Sequence, residues 1–422
     1  MATPIRTPLN RQQILGFWAA WFGWTLDGMD SVIYALVLSP AMKELLPKSG
    51  LPNAPADIAF AGSILFALFL VGWGLSFIWG PIADRFGRAR CLAITILIFS
   101  VFTGAAALAH NVWELGLFRF LAGIGIGGEW AMAGTYVAEA WPEDRRKMGA
   151  GYLQTGYYAG FFLAAALNFT VGATFGWRAM FLCGAVPVLV ALFTLSRVKE
   201  PPRWERAHAG PKSQPLIMIF AGENLRRTIV NTALVSIAII GLWAGTVYEP
   251  TALLALAKNA GFTAVQGTRI ASLGTAVLSV GTILGCLLAP FLAERFGRKK
   301  TLAVYFAGMA IAITLAFGWA FYLPNGLVPF ITVLFFLGLA GGNFAIFSLW
   351  LPEQYNTAMR ATAFAFCTSF GRFLGAGANF AIAGLIQWSG SLGYVIALTA
   401  IPFVLGLAVI PFATETKGEV LP

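Results

Sequence analysis

Asp84-Arg85-Phe86-Gly87-Arg88-Ala89-Arg90-Cys91-Leu92-Ala93 returns 210 positions later as Glu294-Arg295-Phe296-Gly297-Arg298-Lys299-Lys300-Thr301-Leu302-Ala303. The offset is close to half of the 422 residues. Each copy is a short basic hairpin between two long apolar runs, so the chain reads as one helical membrane bundle written twice in the same orientation. Parallel repeats of this kind are a signature of secondary transporters. Trp141-Pro142-Glu143-Asp144 matches Leu351-Pro352-Glu353-Gln354 at the same spacing and extends the repeat.

Outward from the hairpins, the composition fits a bilayer. The chain is 58% hydrophobic and 11% charged, against roughly 25% charged in soluble domains. Twelve charge-poor stretches approach the roughly 20 residues that span a membrane. They lie near 14–40, 58–80, 92–109, 113–139, 149–172, 178–196, 227–250, 266–290, 301–321, 327–349, 361–386 and 392–412. Six precede and six follow the basic, proline-containing stretch around Pro201, Pro202 and Pro215, which gives an N-terminal half 1–196, a linker 197–226 and a C-terminal half 227–422. The linker charges read as a solvated or headgroup-facing surface.

A net charge of +10 raises nucleic acid as a partner, but the placement of the charge excludes it. With a cytoplasmic N-terminus, 21 of the 28 Lys and Arg residues fall in cytoplasmic segments, as the positive-inside rule requires. An even number of spans then puts both termini in the cytoplasm. The four cysteines sit in or at the edges of spans without His partners, which indicates neither disulfides nor zinc. The first thirteen residues lack a cleavable apolar signal, so the first span is expected to act as its own.

The hairpin and one motif of the fourth span together resemble the major facilitator superfamily. Gly80-x-x-x-Asp84-Arg85-x-Gly87-Arg88-x-Arg90 is similar to its signature loop, and Arg119-x-x-x-Gly123-x-Gly125-x-Gly127-Gly128 to its fourth-span motif. Leu26-Asp27-Gly28-Met29-Asp30, Gly128-Glu129-Trp130, Glu139-x-Trp141-Pro142, Gly176-Trp177-Arg178 and Gly371-Arg372 resemble proton-coupled organic-acid symporters of the sialate and lactate group. The resemblance implies the major facilitator fold, an all-α membrane protein of twelve transmembrane helices in two six-helix bundles that rock about a midplane site.

Asp27 and Asp30 stand at i, i+3 in the middle of span one and share a face. A charged Asp at a helix centre costs about 2.5–3.5 kcal/mol on insertion scales, which makes both candidates for proton coupling. By the resemblance, Arg119 lies beside span one, so an Asp27–Arg119 pair is expected, either coupling or permanently structural. Glu129 is a second candidate for the proton path.

Arg372 is the outstanding charge of the second half, whose spans seven and nine to twelve otherwise read as almost uncharged. Its planar fork of donors suits a carboxylate. Gln154, Tyr157, Tyr158, Trp243 and Asn343 are candidates to line a pocket around the body of an organic acid. The hydroxyl stripe Ser272, Thr275, Ser279 and Thr282 on span eight reads as interhelical glue. Gly80, Asp84, Arg85, Gly87 and Arg88 read as gating residues, with Asp84 expected by resemblance at the start of span eleven, where a helix N-terminus attracts negative charge.

The sequence therefore predicts a monomeric secondary transporter, in a bacterial inner membrane, that imports an organic monocarboxylate with protons. No phosphate loop, zinc motif or nucleophile triad is present, so neither an enzyme nor a cofactor is expected. The competing readings are a transporter of a neutral sugar or other metabolite, for which Arg372 has no anionic partner, and a transporter-like sensor that binds without translocating.

Overall fold

The structure, a computed structural model, describes residues 7–208 and 215–422, and at some helix positions, 242–247 among them, only the backbone. Every predicted span is helical. In chain order these are α1 (Arg11–Lys48), α2 (Pro55–Leu75, continued by Trp79–Phe86), α3 (Arg88–Ala106), α4 (Val112–Ala140), α5 (Arg146–Leu167) and α6 (Ala173–Cys183 with Val188–Arg197). The second set is α7 (Glu223–Asn259), α8 (Ala264–Phe296), α9 (Arg298–Ile313), α10 (Leu327–Gly341 with Phe344–Glu353), α11 (Arg360–Ser389) and α12 (Leu392–Ala397 with Ala400–Val409).

Local chemistry sets the helix ends. Asn10 accepts from the backbone N–H of Gln13 while the Gln13 side chain accepts from the N–H of Asn10, a reciprocal cap at the start of α1. Thr263 and Gln266 do the same for α8. At the two hairpins, Gly87 and Gly297 hold φ near 115° and 92°, a region that side chains with a Cβ avoid. Within the first segment of α6 the chain kinks at Gly176, φ 78°.

Packing repeats as the sequence does. α1 packs on α5 as α7 does on α11, α2 on α4 as α8 on α10, and α3 on α6 as α9 on α12. The seam between the halves is built by α5 against α8 and by α2 against α11. Glycines bring the backbones together, since a Cβ on Gly80 would lie 2.5 Å from Thr362 Cα and 2.9 Å from the Ala361 carbonyl on α11. Among the described residues, eight helices are long and apolar enough to cross a membrane on composition alone. Of the others, α1 and α4 carry the buried Asp27, Asp30, Arg119 and Glu129, and the low apolarity of these helices reflects the polar groups they turn inward.

Candidate functional site

The polar centre forms where α1 meets α4. Arg119 donates from one Nη to both oxygens of Asp30, each at 3.1 Å, and its guanidinium lies 4.4 Å from the Phe69 ring and 4.9 Å from that of Tyr34. All of this is buried. The expected Asp27–Arg119 pair is therefore replaced by Asp30–Arg119, because Asp30, one turn further along α1, is the carboxylate level with the arginine. Neither oxygen of Asp27 has a hydrogen-bond partner among the described residues, and neither has either oxygen of Glu129. Asp27 is set among Glu129, Asp30, Arg372 and Arg119 as its charged neighbours. Gly23 on α1 makes room for Glu129, whose carboxylate occupies the space a Cβ there would need.

Arg372 reaches this cluster from α11. It donates to the Thr368 carbonyl at 2.8 Å, one turn back on its own helix, and its guanidinium sits 4.3 Å over the Trp73 ring and 5.7 Å from Trp130. It makes no ion pair among the described residues, its Nε lacks a partner, and Asp27 and Tyr157 are its electrostatic neighbours. Trp24 stacks on Trp130 with ring centroids 5.8 Å apart and packs on Tyr157 at 4.7 Å. One aromatic wall thus joins α1, α4 and α5 around the arginine.

The other expected substrate residues are less uniform. Gln154 accepts from Ser348 at 3.1 Å, and Ser348 accepts from the Trp130 indole at 2.8 Å, so Gln154 ties the two halves together. Tyr158 is buried behind Tyr157, beside Cys286. Asn343 lies in the break of α10, donating to the Ala340 carbonyl at 3.0 Å, with its own Oδ1 unpartnered among the described residues. The Trp243 side chain lies outside the described residues.

A cavity of about 520 Å³ opens on the face of the bundle opposite the hairpins. Ser31, Phe66, Phe161, Glu249, Thr275 and Asn379 are among its lining; Gln154, Tyr157, Tyr158, Asn343 and Arg372 are not. Asp27 and Arg372 each stand one helical turn deeper than a lining residue, Ser31 and Ala376, so the charged cluster lies beneath the cavity floor. Glu249 was missed in the sequence. It corrects the reading of span seven as almost uncharged, for it is buried and accepts from Thr275 Oγ1 at 3.1 Å.

At the hairpin end the halves are closed on each other. Asp84 accepts from the N–H groups of Ala361 and Thr362 at 3.2 and 2.8 Å and from Thr362 Oγ1 at 2.5 Å, at the first turn of α11. Arg88 pairs with Asp84 at 2.9 Å and with Glu139 at 3.0 Å. Glu139 also takes Arg360 from the other half at 2.7 Å. The second hairpin copies this: Glu353 pairs with Arg298 and, across the seam, with Arg146, both at 2.8 Å. Arg85 does not join the network; it is exposed and lies over the Phe86 ring. Glu139 and Glu353 are 214 positions apart, as are Arg146 and Arg360, so the equivalence of Glu143 and Glu353 at 210 is a slip of about one helical turn.

The linker takes part as well: Arg197, Lys199, Glu205 and Arg206 are exposed, as expected of a solvated or headgroup-facing surface, but Glu200 and Trp204 turn inward. Glu200 accepts from the N–H groups of Arg88, Ala89 and Arg90 at 2.6, 3.0 and 3.1 Å, and Trp204 donates to the Asp84 carbonyl. Glu415 accepts from Arg298 and Lys299 in the same way. Each carboxylate satisfies the free N–H groups at the start of its hairpin helix, where the helix dipole favours negative charge.

A twelve-helix bundle with a buried charge cluster under a cavity open at one end, closed at the other by paired hairpins, defines a membrane transporter rather than an enzyme. Residues 15–378 match the model of the Major Facilitator Superfamily, and the chain belongs to that family. It is 31% identical to a putative metabolite transport protein of Haemophilus influenzae, over 94% of this chain and 95% of that one. To the sialic acid transporter NanX of Escherichia coli it is 28% identical, over 72% and 71%. Among solved structures, the proton:xylose symporter XylE bound to 6-bromo-6-deoxy-D-glucose superposes with a TM-score of 0.81 at 21% identity, covering 97% of this chain and 98% of that one.

Proposed function

We propose that this chain imports an organic monocarboxylate together with protons across a bacterial inner membrane, by alternating access and as a monomer. The hairpin face and both termini are cytoplasmic in this reading, which the clustering of Lys and Arg on that face supports. Residues 1–196 and 227–422 are the two halves that rock, and 197–226 joins them.

The observation that carries the substrate reading is Arg372: a buried guanidinium with no carboxylate paired to it among the described residues, framed by Trp73 and Trp130 beneath the cavity floor. A substrate carboxylate supplies the missing counter-charge, and the aromatic wall receives the body of the acid. The relative named as a sialic acid transporter agrees with an acid as cargo, whereas a neutral sugar leaves Arg372 unpaired.

Asp27 is the proton carrier in this scheme. In the empty site it neighbours Arg372 without a hydrogen bond to it. When the substrate carboxylate takes the arginine, a proton on Asp27 keeps the cluster from holding two unpaired anions in a low-dielectric space. Glu129 extends the proton path, and Asp30–Arg119 holds the frame. Asp84, Arg88 and Gly80 close the cytoplasmic side.

The test is uptake of labelled sialate, lactate, shikimate and benzoate into proteoliposomes. An acid should accumulate against its gradient, stop accumulating under an uncoupler, bind more weakly in Arg372→Lys and lose nearly all binding in Arg372→Ala. An Arg372→Ala protein that transports the acid as well as the parent sinks the proposal.

A further inference from the structure

Arg372 stands beneath the cavity floor, and the C-terminal wall of the cavity holds an acid that the scheme above leaves without a role. Glu249 is 1% exposed and lines the cavity. Its hydrogen bonds come from Thr275 Oγ1, at 3.1 and 3.4 Å, and it makes no ion pair among the described residues. Gly274 leaves space for it, since a Cβ there would lie 3.0 Å from Oε1. A carboxylate accepts at about four lone-pair sites, and one hydroxyl leaves most of them open. Asn379, on the cavity wall from α11, has neither its Oδ1 nor its Nδ2 hydrogen-bonded among the described residues. Buried polar groups of this kind are normally satisfied. Two of them lining one cavity whose remaining surface is largely apolar, with Phe66, Phe161 and Phe380, mark the place where a ligand supplies the partner.

The geometry points to Glu249, assisted by Asn379, as a subsite that recognises a hydrogen-bond donor, a hydroxyl or N–H, on the end of the substrate remote from its carboxylate. The inference rests on the reading of Arg372 as the carboxylate site and adds a second requirement. The cargo is a compact acid with an anionic end held deep, an apolar middle, and a donor at the mouth.

Benzoate, its three monohydroxy derivatives and their O-methyl ethers test this, with affinity read from ligand-induced thermal shifts of the purified full chain. At least one hydroxybenzoate should bind about 10-fold more tightly than benzoate and than its own methyl ether, the upper range of one hydrogen bond between neutral groups. In Glu249→Leu that ratio should fall to about threefold or less with benzoate affinity retained. Glu249→Gln should keep part of it, because the amide oxygen still accepts. The proposal is overturned if no hydroxybenzoate is preferred by the parent, or if the preference survives in Glu249→Leu. Should Glu249→Leu not fold, the parent's hydroxyl-to-ether ratio and Glu249→Gln decide. Arg372→Ala separates the two readings: if it leaves every affinity unchanged while the hydroxyl preference persists, the carboxylate site falls and the donor site stands.

Discussion

Asp27 and Asp30 lie one turn apart on the same face of α1, and their surroundings give them opposite consequences when neutralised. Asp30 holds the buried Arg119, so Asp30→Asn leaves a cation without its partner in the bilayer interior. Breaking a buried pair in this way costs about 3–5 kcal/mol, and a clear fall in Tm is expected for the purified protein. Asp27 has no such bond to lose. Asp27→Asn should keep or raise Tm, abolish uphill accumulation and retain counterflow; concentrative uptake by Asp27→Asn would remove it from the coupling role. The i, i+3 spacing revealed that both acids face inward but not which one meets Arg119, because the level of one helix against another is set by packing between residues 89 positions apart. Glu249 escaped for a related reason: at the edge of an apolar run an acid looks like an end, and only the cavity shows that it faces inward.

Elements meet through glycine and through carboxylate caps. Gly87 is needed twice, for its φ near 115° and because a Cβ would collide with Glu200. Gly87→Val should therefore displace Glu200, loosen the hairpin and slow counterflow severalfold, with equilibrium affinity for substrate nearly unchanged. A large loss of affinity at unchanged turnover would show that the hairpin belongs to the pocket. The repeat made both hairpins legible in the sequence. The linker carboxylate was not legible, since a charge in a polar stretch carries no sign of the helix it will cap. On the opposite face, beyond the membrane span of α1, Glu44 joins that helix to α6. The Arg178 guanidinium at 2.7 and 2.8 Å, followed by Lys48 and the Trp177 indole, lowers its carboxyl to about 2. A lowered carboxyl stabilises the fold above its unfolded value near 4.5 and loses that contribution as pH falls towards 2. The Tm difference between the parent and Glu44→Gln should accordingly be constant from pH 8 to 5 and shrink below pH 4.

In the molecule as a whole, Glu139–Arg360 and Glu353–Arg146 are, among the described residues, the buried ionic bonds that cross from one half to the other at the hairpin end, beside the more exposed Lys147–Glu294 pair. They are interlocked with Arg88 and Arg298, so neither half can swing away without breaking both. The double variant Glu139→Gln with Glu353→Gln should shift the protein towards a state open on the hairpin side. Maleimide reaction at Ser348→Cys, a position now buried at the seam, should then become faster from that side; unchanged protection would mean the pairs only decorate a closure made by apolar packing. The two capping carboxylates also tell where the polypeptide tolerates interruption. Glu200 serves the first hairpin and Glu415 the second, so each half receives its cap from its own side of residues 209–214. A gene divided there yields two fragments that each carry a complete hairpin, and they should reassemble into an active carrier when co-expressed; a division just before Glu200 hands the first hairpin's cap to the wrong fragment and should not.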